Sequence, residues 1–243
     1  MIFLVTGASS GLGLAVSNKL TNNGHFVIGL GRDWQKVNVS SDDVELTKWH
    51  REVFDLRNTE NIESLFQGLI THFGKLDGLI HCAGVEETLP ITLYSPGKVK
   101  ELYEINVFAA HELLRVFSKK INSNDNSSIV VLSSVMGVLG QYGKTGYCAT
   151  KAALLGLVKA SALEFSKRRI RVNAVLPGVV DTPMTQNLFS KLDIEGKDQI
   201  LNMHPLGIGE PSDVAHLVGF LLSPDSKWIT GQDFIIDGGY SIQ

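Results

Sequence analysis

Short apolar runs alternate with longer segments of helical periodicity along this 243-residue chain. The runs span residues 2–5, 26–30, 52–54, 79–81, 129–132, 171–176 and 234–236. Buried strands of parallel sheets have this continuous apolar character, and the helical segments between them would cover both faces of the sheet. The pattern predicts an α/β fold in one domain, residues 1–243, with a doubly wound parallel sheet of about seven strands. The helical pattern is least clear in residues 33–50, where we expect an irregular helix.

The first apolar run leads directly into a glycine-rich turn, TGASSGLG, at residues 6–13. A helical pattern with Leu14, Val16 and Leu20 follows, and the next strand begins at Phe26. In such a unit, glycines let the backbone approach a pyrophosphate, and the helix N-terminus offers it free N–H groups and a positive dipole end. We therefore expect a Rossmann-type dinucleotide site at this turn.

The end of the second strand indicates which nicotinamide dinucleotide would bind. An acidic residue there binds the ribose hydroxyls, whereas an arginine accommodates the 2′-phosphate of NADP. Here Arg32 comes first and Asp33 follows, while Ser9 and Ser10 could add hydroxyl donors. The order favours NADP(H) over NAD(H). Two alternatives stay open: Asp33 could pair with Arg32 and reduce its charge, or Arg32 could be an ordinary solvated loop residue.

Composition excludes several classes of protein. The net charge of −3 gives no support for a nucleic-acid or membrane partner, and no apolar run approaches the ~18 residues of a membrane span. The first strand begins too early for a signal peptide, and only Cys82 and Cys148 are present, so we expect a cytoplasmic protein without disulfides. The seven histidines are scattered, and we predict no metal site.

Three side chains in one stretch predict acid–base chemistry. Tyr147 and Lys151 are four residues apart, so they share one face of a helix, and Ser134 follows an apolar run. An ammonium near a phenol favours the phenolate and lowers the phenol pKa, and the Ser134 hydroxyl could donate to a substrate oxygen. The ordinary alternative is a helix pair with Lys151 exposed and Tyr147 half-buried.

Together these motifs resemble the short-chain dehydrogenase/reductase family over nearly the whole chain. Residues 6–13 match its TGxxxGxG turn, the spacing from Ser134 to Tyr147 matches, and residues 237–239 resemble its C-terminal signature. One segment departs from the family: His81 and Cys82 stand where two asparagines are usual. We interpret Cys82 as a small buried hydrophobic residue rather than a redox group.

The resemblance implies the site residues. The implied catalytic residues are Asn106, Ser134, Tyr147 and Lys151. The implied cofactor contacts are Gly7, Ser9, Ser10, Gly11, Leu12, Gly13, Arg32, Asp55, Leu56, Cys82, Ala83, Gly84, Tyr147, Lys151, Pro177, Gly178, Val180 and Thr182.

The implied reaction moves a proton and a hydride at a carbonyl. Tyr147 would protonate the carbonyl oxygen, Ser134 would orient it, and Lys151 would lower the phenol pKa and hold the nicotinamide ribose. Asn106, on a helix expected over residues 100–118, would by resemblance hold a water that links Lys151 to solvent. Without the resemblance, Asn106 would be a buried asparagine that satisfies backbone groups.

Two further expectations come from the resemblance. Residues 183–209 would form a substrate lid, with an ordinary helix pair packed on the core as the alternative. The protein would be a homotetramer or homodimer, with a partner packed on the apolar residues of the helices that carry Asn106 and Tyr147. Those residues are Val107, Phe108, Leu113, Leu114, Leu154, Leu155 and Leu157.

The resemblance implies an NADPH-dependent reductase of ketones or aldehydes, or the reverse alcohol oxidation. The chain looks most like the 3-oxoacyl-acyl-carrier-protein reductases, whose acidic carrier docks on basic residues. Arg168 falls at one such position, but residues 122–126 contain no basic residue, which weakens that assignment. A sugar, steroid or polyol dehydrogenase stays open, as does an NADP-sensing binding protein without turnover.

Overall fold

A computed structural model describes residues 1–35 and 48–242. In this part of the chain one parallel sheet of seven strands has the order β3-β2-β1-β4-β5-β6-β7, which confirms the predicted fold class. The strands are β1 Ile2–Thr6, β2 Phe26–Gly31, β3 Trp49–Val53, β4 Leu76–His81, β5 Ser123–Leu132, β6 Arg171–Pro177 and β7 Asp233–Ile236. The chain reverses its direction of travel across the sheet between β1 and β4, and ligands bind at the carboxyl ends of strands at such a switch point.

Helices cover both faces of this sheet. They are α1 Gly11–Asn22, α2 Ile62–Phe73, α3 Pro96–Tyr103, α4 Ala109–Phe117, α5 Thr145–Phe165, α6 Pro183–Phe189, α7 Ile194–Asn202 and α8 Pro211–Leu222. Side chains alternate along β1: Leu4 packs into the core under α2, α4 and α5, whereas Phe3 and Val5 pack under α1 and α8. This alternation makes β1 the buried centre of the molecule.

The bounds of two predicted strands differ from those observed. β3 lies at Trp49–Val53 rather than residues 52–54, because Val27 to Gly31 of β2 pair with Trp49 to Val53. β5 begins at Ser123 because its polar end joins the sheet beside Leu76, with an irregular register before Ser128. Most of the irregular helix expected in residues 33–50 lies outside the described residues.

The helix expected over residues 100–118 contains a change of helical form. α3 ends at Tyr103, a π-helical segment Glu104–Phe108 follows, and α4 begins at Ala109. π-Helical turns inside α-helices occur frequently at functional sites. Here the π-helical segment carries Asn106.

Four of the seven apolar residues predicted to pack against a partner subunit are accounted for within the chain itself. Leu113, Leu114, Leu154 and Leu155 are buried in the core of the chain itself. Phe108 stays about half exposed, at 51%.

The described helices include none long and apolar enough to cross a membrane.

Candidate active site

The glycine turn between β1 and α1 requires glycine at two positions. Gly7 has φ of +66°, and a Cβ there would lie 3.0 Å from the backbone of Ala83. A Cβ on Gly13 would lie 2.2 Å from the Gly7 carbonyl oxygen. The turn, α1 and the end of β4 are therefore in direct backbone contact. A larger residue at either position would clash with this backbone. The open space bordered by Gly7, Gly11 and Gly13 is called the glycine cradle below.

The N-terminus of α1 is available to an anion. Its N-cap residue Ser10 is extended and its side chain makes no capping hydrogen bond. The first N–H groups of a helix lack intrahelical partners and lie at the positive end of the dipole. A pyrophosphate fits this cradle in both charge and space.

Two adjoining cavities lie along the carboxyl ends of the strands. They enclose about 250 and 220 Å³ and share Gly7, Ser10, Ala83 and Gly84 in their walls. The predicted cofactor contacts that line one or both are Gly7, Ser9, Ser10, Gly11, Leu12, Gly13, Arg32, Asp55, Leu56, Cys82, Ala83, Gly84, Tyr147, Pro177, Gly178, Val180 and Thr182. Lys151, the remaining predicted contact, is buried beneath this surface.

The smaller cavity ends at charged groups. Arg32 is exposed at its rim, and the Asp33 carboxylate accepts a hydrogen bond from the backbone N–H of Gln35 at 2.9 Å. Among the described residues no ion pair joins Asp33 to Arg32. Asp55 instead pairs with Arg57, which the sequence reasoning missed, and this hydrogen bonding lowers the pKa of Asp55 to about 2. The Arg32 guanidinium thus remains available at the cavity.

His81 and Cys82 occupy the segment that departs from the family pattern. His81 is buried, and its Nδ1 lies 3.0 Å from the Thr6 hydroxyl, which also accepts the Ala83 N–H at 3.1 Å. Burial, with Lys151 adding to it, lowers the pKa of His81 to about 3, so the imidazole is neutral at neutral pH. Burial raises the pKa of the Cys82 thiol to about 12, which agrees with a hydrophobic packing role.

Ser134, Tyr147 and Lys151 converge at the floor of the larger cavity. Tyr147 and Ser134 line it, whereas Lys151 lies below, with its Nζ 5.7 Å from the centre of the Tyr147 ring. The Lys151 ammonium donates a hydrogen bond of 2.9 Å to the Leu132 carbonyl oxygen. Tyr147 and Lys151 therefore share one helix face, as the spacing predicts, but Lys151 is buried rather than exposed.

The phenol pKa departs from the sequence expectation. Burial raises the pKa of Tyr147, the Glu86 carboxylate raises it further, and hydrogen bonding to Ser134 opposes both. The lowering expected from Lys151 does not prevail in this structure. Burial also lowers the pKa of Lys151 to about 8, which weakens its positive charge near that pH.

Asn106 ties the loop after β4 to α5. Its side-chain oxygen accepts the Val85 N–H, and its amide nitrogen donates to the Val85 carbonyl oxygen, both at 2.9 Å. The same nitrogen donates to the Thr150 hydroxyl at 3.0 Å. A Cβ on Gly84 would lie 3.3 Å from both the Asn106 oxygen and Lys151 Nζ, so these two polar groups flank one point.

Sequence reasoning missed an ion pair in the wall of the larger cavity. The Lys144 ammonium pairs with the Glu86 carboxylate, and Lys144 Nζ also lies 5.7 Å from the centre of the Tyr147 ring. Lys144 directly precedes α5, and Glu86 lies two residues after Gly84. Their separation in sequence gives no periodic signal by which the pair could be found.

The C-terminal signature supports the end of the cleft that contains Pro177 and Gly178. The Asp237 carboxylate accepts the N–H groups of Gly239 at 3.0 Å and Ser241 at 2.8 Å. A Cβ on Gly178 would lie 2.8 Å from the Asp237 Cβ, so β6 and β7 end in close contact. These residues shape the segment that contains Pro177.

The predicted lid segment contains α6 and α7, and neither helix has a buried residue. Met184 and Leu188 of α6 line the larger cavity. Thr182 caps α6 by accepting the Thr185 N–H. Within the described residues no cluster of acidic, histidine or cysteine side chains could hold a metal ion.

Comparison with known proteins identifies the family of this chain. A family model described as enoyl-(acyl carrier protein) reductase matches residues 7–241. The 3-oxoacyl-[acyl-carrier-protein] reductase FabG of Rickettsia bellii is 36% identical over 238 residues, which are 97% of this chain and 95% of that protein. The chain belongs to the short-chain dehydrogenase/reductase family. It is an oxidoreductase of this family that acts on carbonyl or hydroxyl groups.

Solved structures give the same fold. A short-chain dehydrogenase family protein from Francisella tularensis has a TM-score of 0.88 and 30% identity, covering 100% of this chain and 99% of that one. A structure described as ElxO with NADP bound has a TM-score of 0.88 and 27% identity, again covering 100% and 99%.

Proposed function

We propose that this protein is an NADPH-dependent reductase of ketones or aldehydes, which also runs the reverse alcohol oxidation. The observation that carries the proposal is the Ser134–Tyr147 pair at the floor of a cleft continuous with the glycine cradle. A carbonyl oxygen seated there would meet a hydroxyl donor and a phenolic acid at one point. Lys151 Nζ lies 5.7 Å from the centre of the Tyr147 ring, and Asn106 donates a hydrogen bond to Thr150, the residue before Lys151.

The chain's own residues would bind the substrate and move the proton. The glycine turn, Ala83, Gly84 and residues 177–182 would hold NADPH, and the bound cofactor would supply the hydride. Tyr147 protonates the carbonyl oxygen, and the hydroxyl of Ser134 orients and polarises that oxygen. Since burial holds the Tyr147 proton tightly, Lys151 contributes by stabilising the phenolate that forms when the proton leaves. Asn106 positions a water through which Lys151 reaches solvent.

The preference for NADP over NAD rests on the smaller cavity. Arg32 has no described ion-pair partner there, and Ser9 lines the same wall. A guanidinium suits a 2′-phosphate because it offers two parallel hydrogen bonds. ElxO, a relative in fold, is a protein with NADP bound.

The acyl-thioester assignment has mixed support. The FabG relatives act on acyl-carrier-protein substrates by name. However, the Arg168 guanidinium already bonds Asp125, Ser123 and the Ser118 carbonyl oxygen, so it has little capacity for a carrier protein. We therefore propose a carbonyl substrate with an apolar portion that contacts Met184 and Leu188 of a mobile lid. Phe108 would lie in a homodimer or homotetramer contact.

One experiment tests the proposal. Wild-type protein and Tyr147→Phe are titrated with NADPH and NADH by fluorescence, and ketone reduction is then followed by loss of NADPH absorbance. We expect Tyr147→Phe to lower kcat by about 10²–10⁴, the usual share of general acid–base catalysis, with NADPH affinity retained. Tighter NADPH than NADH binding supports the role of Arg32.

Two results would contradict the proposal. Full turnover by Tyr147→Phe would reject the proton-donor role. NADPH binding by the wild type without oxidation across a broad panel of ketones and aldehydes would favour a cofactor-sensing protein.

A further inference from the structure

The ion pair in the cleft wall is more buried than the other described ion pairs. The side chains of Lys144 and Glu86 are 8% and 17% exposed, and every other described pair has both side chains above 20%. An ion pair at such a depth has lost most of its hydration, so each partner depends on the other for compensation.

The pair also supplies the charge of the cleft surface. Among the described residues that line the larger cavity, Glu86 and Lys144 are the charged side chains. The rest of the wall is uncharged: it consists of glycine, hydroxyl-bearing and apolar residues together with Gln141 and Cys82. The wall therefore carries one positive and one negative group that cancel.

Neighbouring contacts hold the pair in place. The Thr88 hydroxyl donates to the Glu86 carboxylate at 3.2 Å. The Leu89 N–H donates to the Gly143 carbonyl oxygen at 2.7 Å, which joins the loop after β4 to the residue before Lys144. Both charged side chains thus sit on segments that are tied together by backbone and side-chain bonds.

We infer that the Glu86–Lys144 pair makes the cleft selective for carbonyl substrates that are uncharged near the reacting carbon. This inference rests on the proposed function and names its substrate class. An anionic substrate would have to displace Glu86 from Lys144 or lie beside the Glu86 carboxylate, and a cationic one would meet Lys144. In a partly dehydrated site neither charge is screened as in water.

Removing one partner should therefore change the charge preference in a defined direction. Without Glu86 the wall keeps a lone ammonium, which attracts a substrate carboxylate. Without Lys144 it keeps a lone carboxylate, which repels one. Removal of both restores a neutral wall. The double variant also leaves no uncompensated charge, so it is the variant best able to fold.

The test uses two substrates, ethyl acetoacetate and acetoacetate, which share the reacting ketone; the second has a negatively charged carboxylate where the first has an uncharged ethyl ester. The measurement is the ratio of kcat/KM for the anion to that for the ester, with NADPH at pH 7.5. A change in Tyr147 chemistry would affect both substrates alike and cancel in this ratio. Glu87→Gln is the control, because Glu87 is the adjacent residue and pairs with Lys98 rather than Lys144.

We expect Glu86→Gln to raise the ratio about tenfold or more and Lys144→Gln to lower it. Each variant leaves one charge in the wall without its partner, and a charge at contact distance is poorly screened there. The double variant Glu86→Gln/Lys144→Gln and the Glu87→Gln control should stay within about threefold of wild type, since neither leaves a lone charge in the wall. An unchanged ratio in Glu86→Gln, or an equal change in Glu87→Gln, would overturn the inference.

A binding measurement separates this inference from the proposed function. Each wall variant is combined with Tyr147→Phe, and dissociation constants of both ligands are measured in the NADPH complex by calorimetry. The same order of ratios is expected there without any turnover. If the wild type reduces neither compound but the binding ratios shift as expected, the proposed function fails and the selectivity stands. If the ester is reduced and neither ratio shifts, the selectivity fails alone.

Discussion

The floor and the wall of the cleft each place a lysine 5.7 Å from the centre of the Tyr147 ring, but in different surroundings. On the floor, Lys151 has a backbone carbonyl as its hydrogen-bond partner, and burial lowers its pKa to about 8. On the wall, Lys144 has the Glu86 carboxylate. Two lysines at one distance from the same phenol ring therefore face different groups, an uncharged backbone carbonyl for Lys151 and a carboxylate for Lys144.

The most direct test of this difference is to remove the Lys151 ammonium from the floor of the cleft. We expect Lys151→Met to lower kcat on a neutral ketone by about 100-fold or more, because no other described cation stabilises the Tyr147 phenolate from below. The double variant Glu86→Gln/Lys144→Gln should lower it by less than about tenfold, since it removes the wall charges in balance. Steady-state kinetics at saturating NADPH measure both.

Equal losses of kcat in Lys151→Met and in the double variant would mean that Lys151 and the Glu86–Lys144 pair contribute equally to turnover. NADPH titrations of each variant would show whether a loss arises in cofactor binding instead.

Asn106 allows the comparison to be tested through stability. We expect Asn106→Ala to lower the free energy of unfolding by about 2–4 kcal/mol, because it removes three hydrogen bonds and leaves the partly buried N–H and carbonyl groups of Val85 and the buried Thr150 hydroxyl without this partner. Asn122→Ala is the matched control. Asn122 is also buried, but its side chain makes one hydrogen bond, to the Val116 carbonyl oxygen, so we expect a loss of about 1 kcal/mol in the free energy of unfolding. Urea unfolding followed by circular dichroism measures both.

A loss in Asn106→Ala no larger than that in Asn122→Ala would argue that the π-helical segment contributes little to holding the floor.

The smallest expected effect is a pH dependence of stability that belongs to Lys151. Its folded pKa of about 8 lies below the ordinary value of 10.5, so between these values the unfolded chain binds more protons. Stability must therefore rise with pH over this interval, by about 2 kcal/mol between pH 8 and 9.5. The difference in unfolding free energy between wild type and Lys151→Met, measured from pH 7 to 9.5, isolates this contribution.

A constant difference across that range would show that Lys151 titrates at an ordinary pKa and is better hydrated than its burial indicates.

Much of the architecture could be predicted because local patterns specify it. The apolar runs located all seven strands. The turn at residues 6–13 predicted the glycine cradle, since the positive φ of Gly7 and the close approach of Gly13 to the Gly7 carbonyl oxygen both arise within one β–α unit. The boundaries of β3 and β5 were less well predicted. Their polar ends become strands only through hydrogen bonds to β2 and β4, which lie elsewhere in the chain.

The residues of the proposed reacting point could also be predicted to lie together, because Tyr147 and Lys151 share one helix face through a fixed spacing of four. Their electrostatics were not. Burial is a property of the packed molecule, and it reversed the expected direction of the Tyr147 pKa. The Glu86–Lys144 pair likewise exists only because the loop after β4 folds onto the start of α5. Chain order and residue type thus determined which groups are present, and tertiary packing decided how far each one is removed from water and which charge faces it.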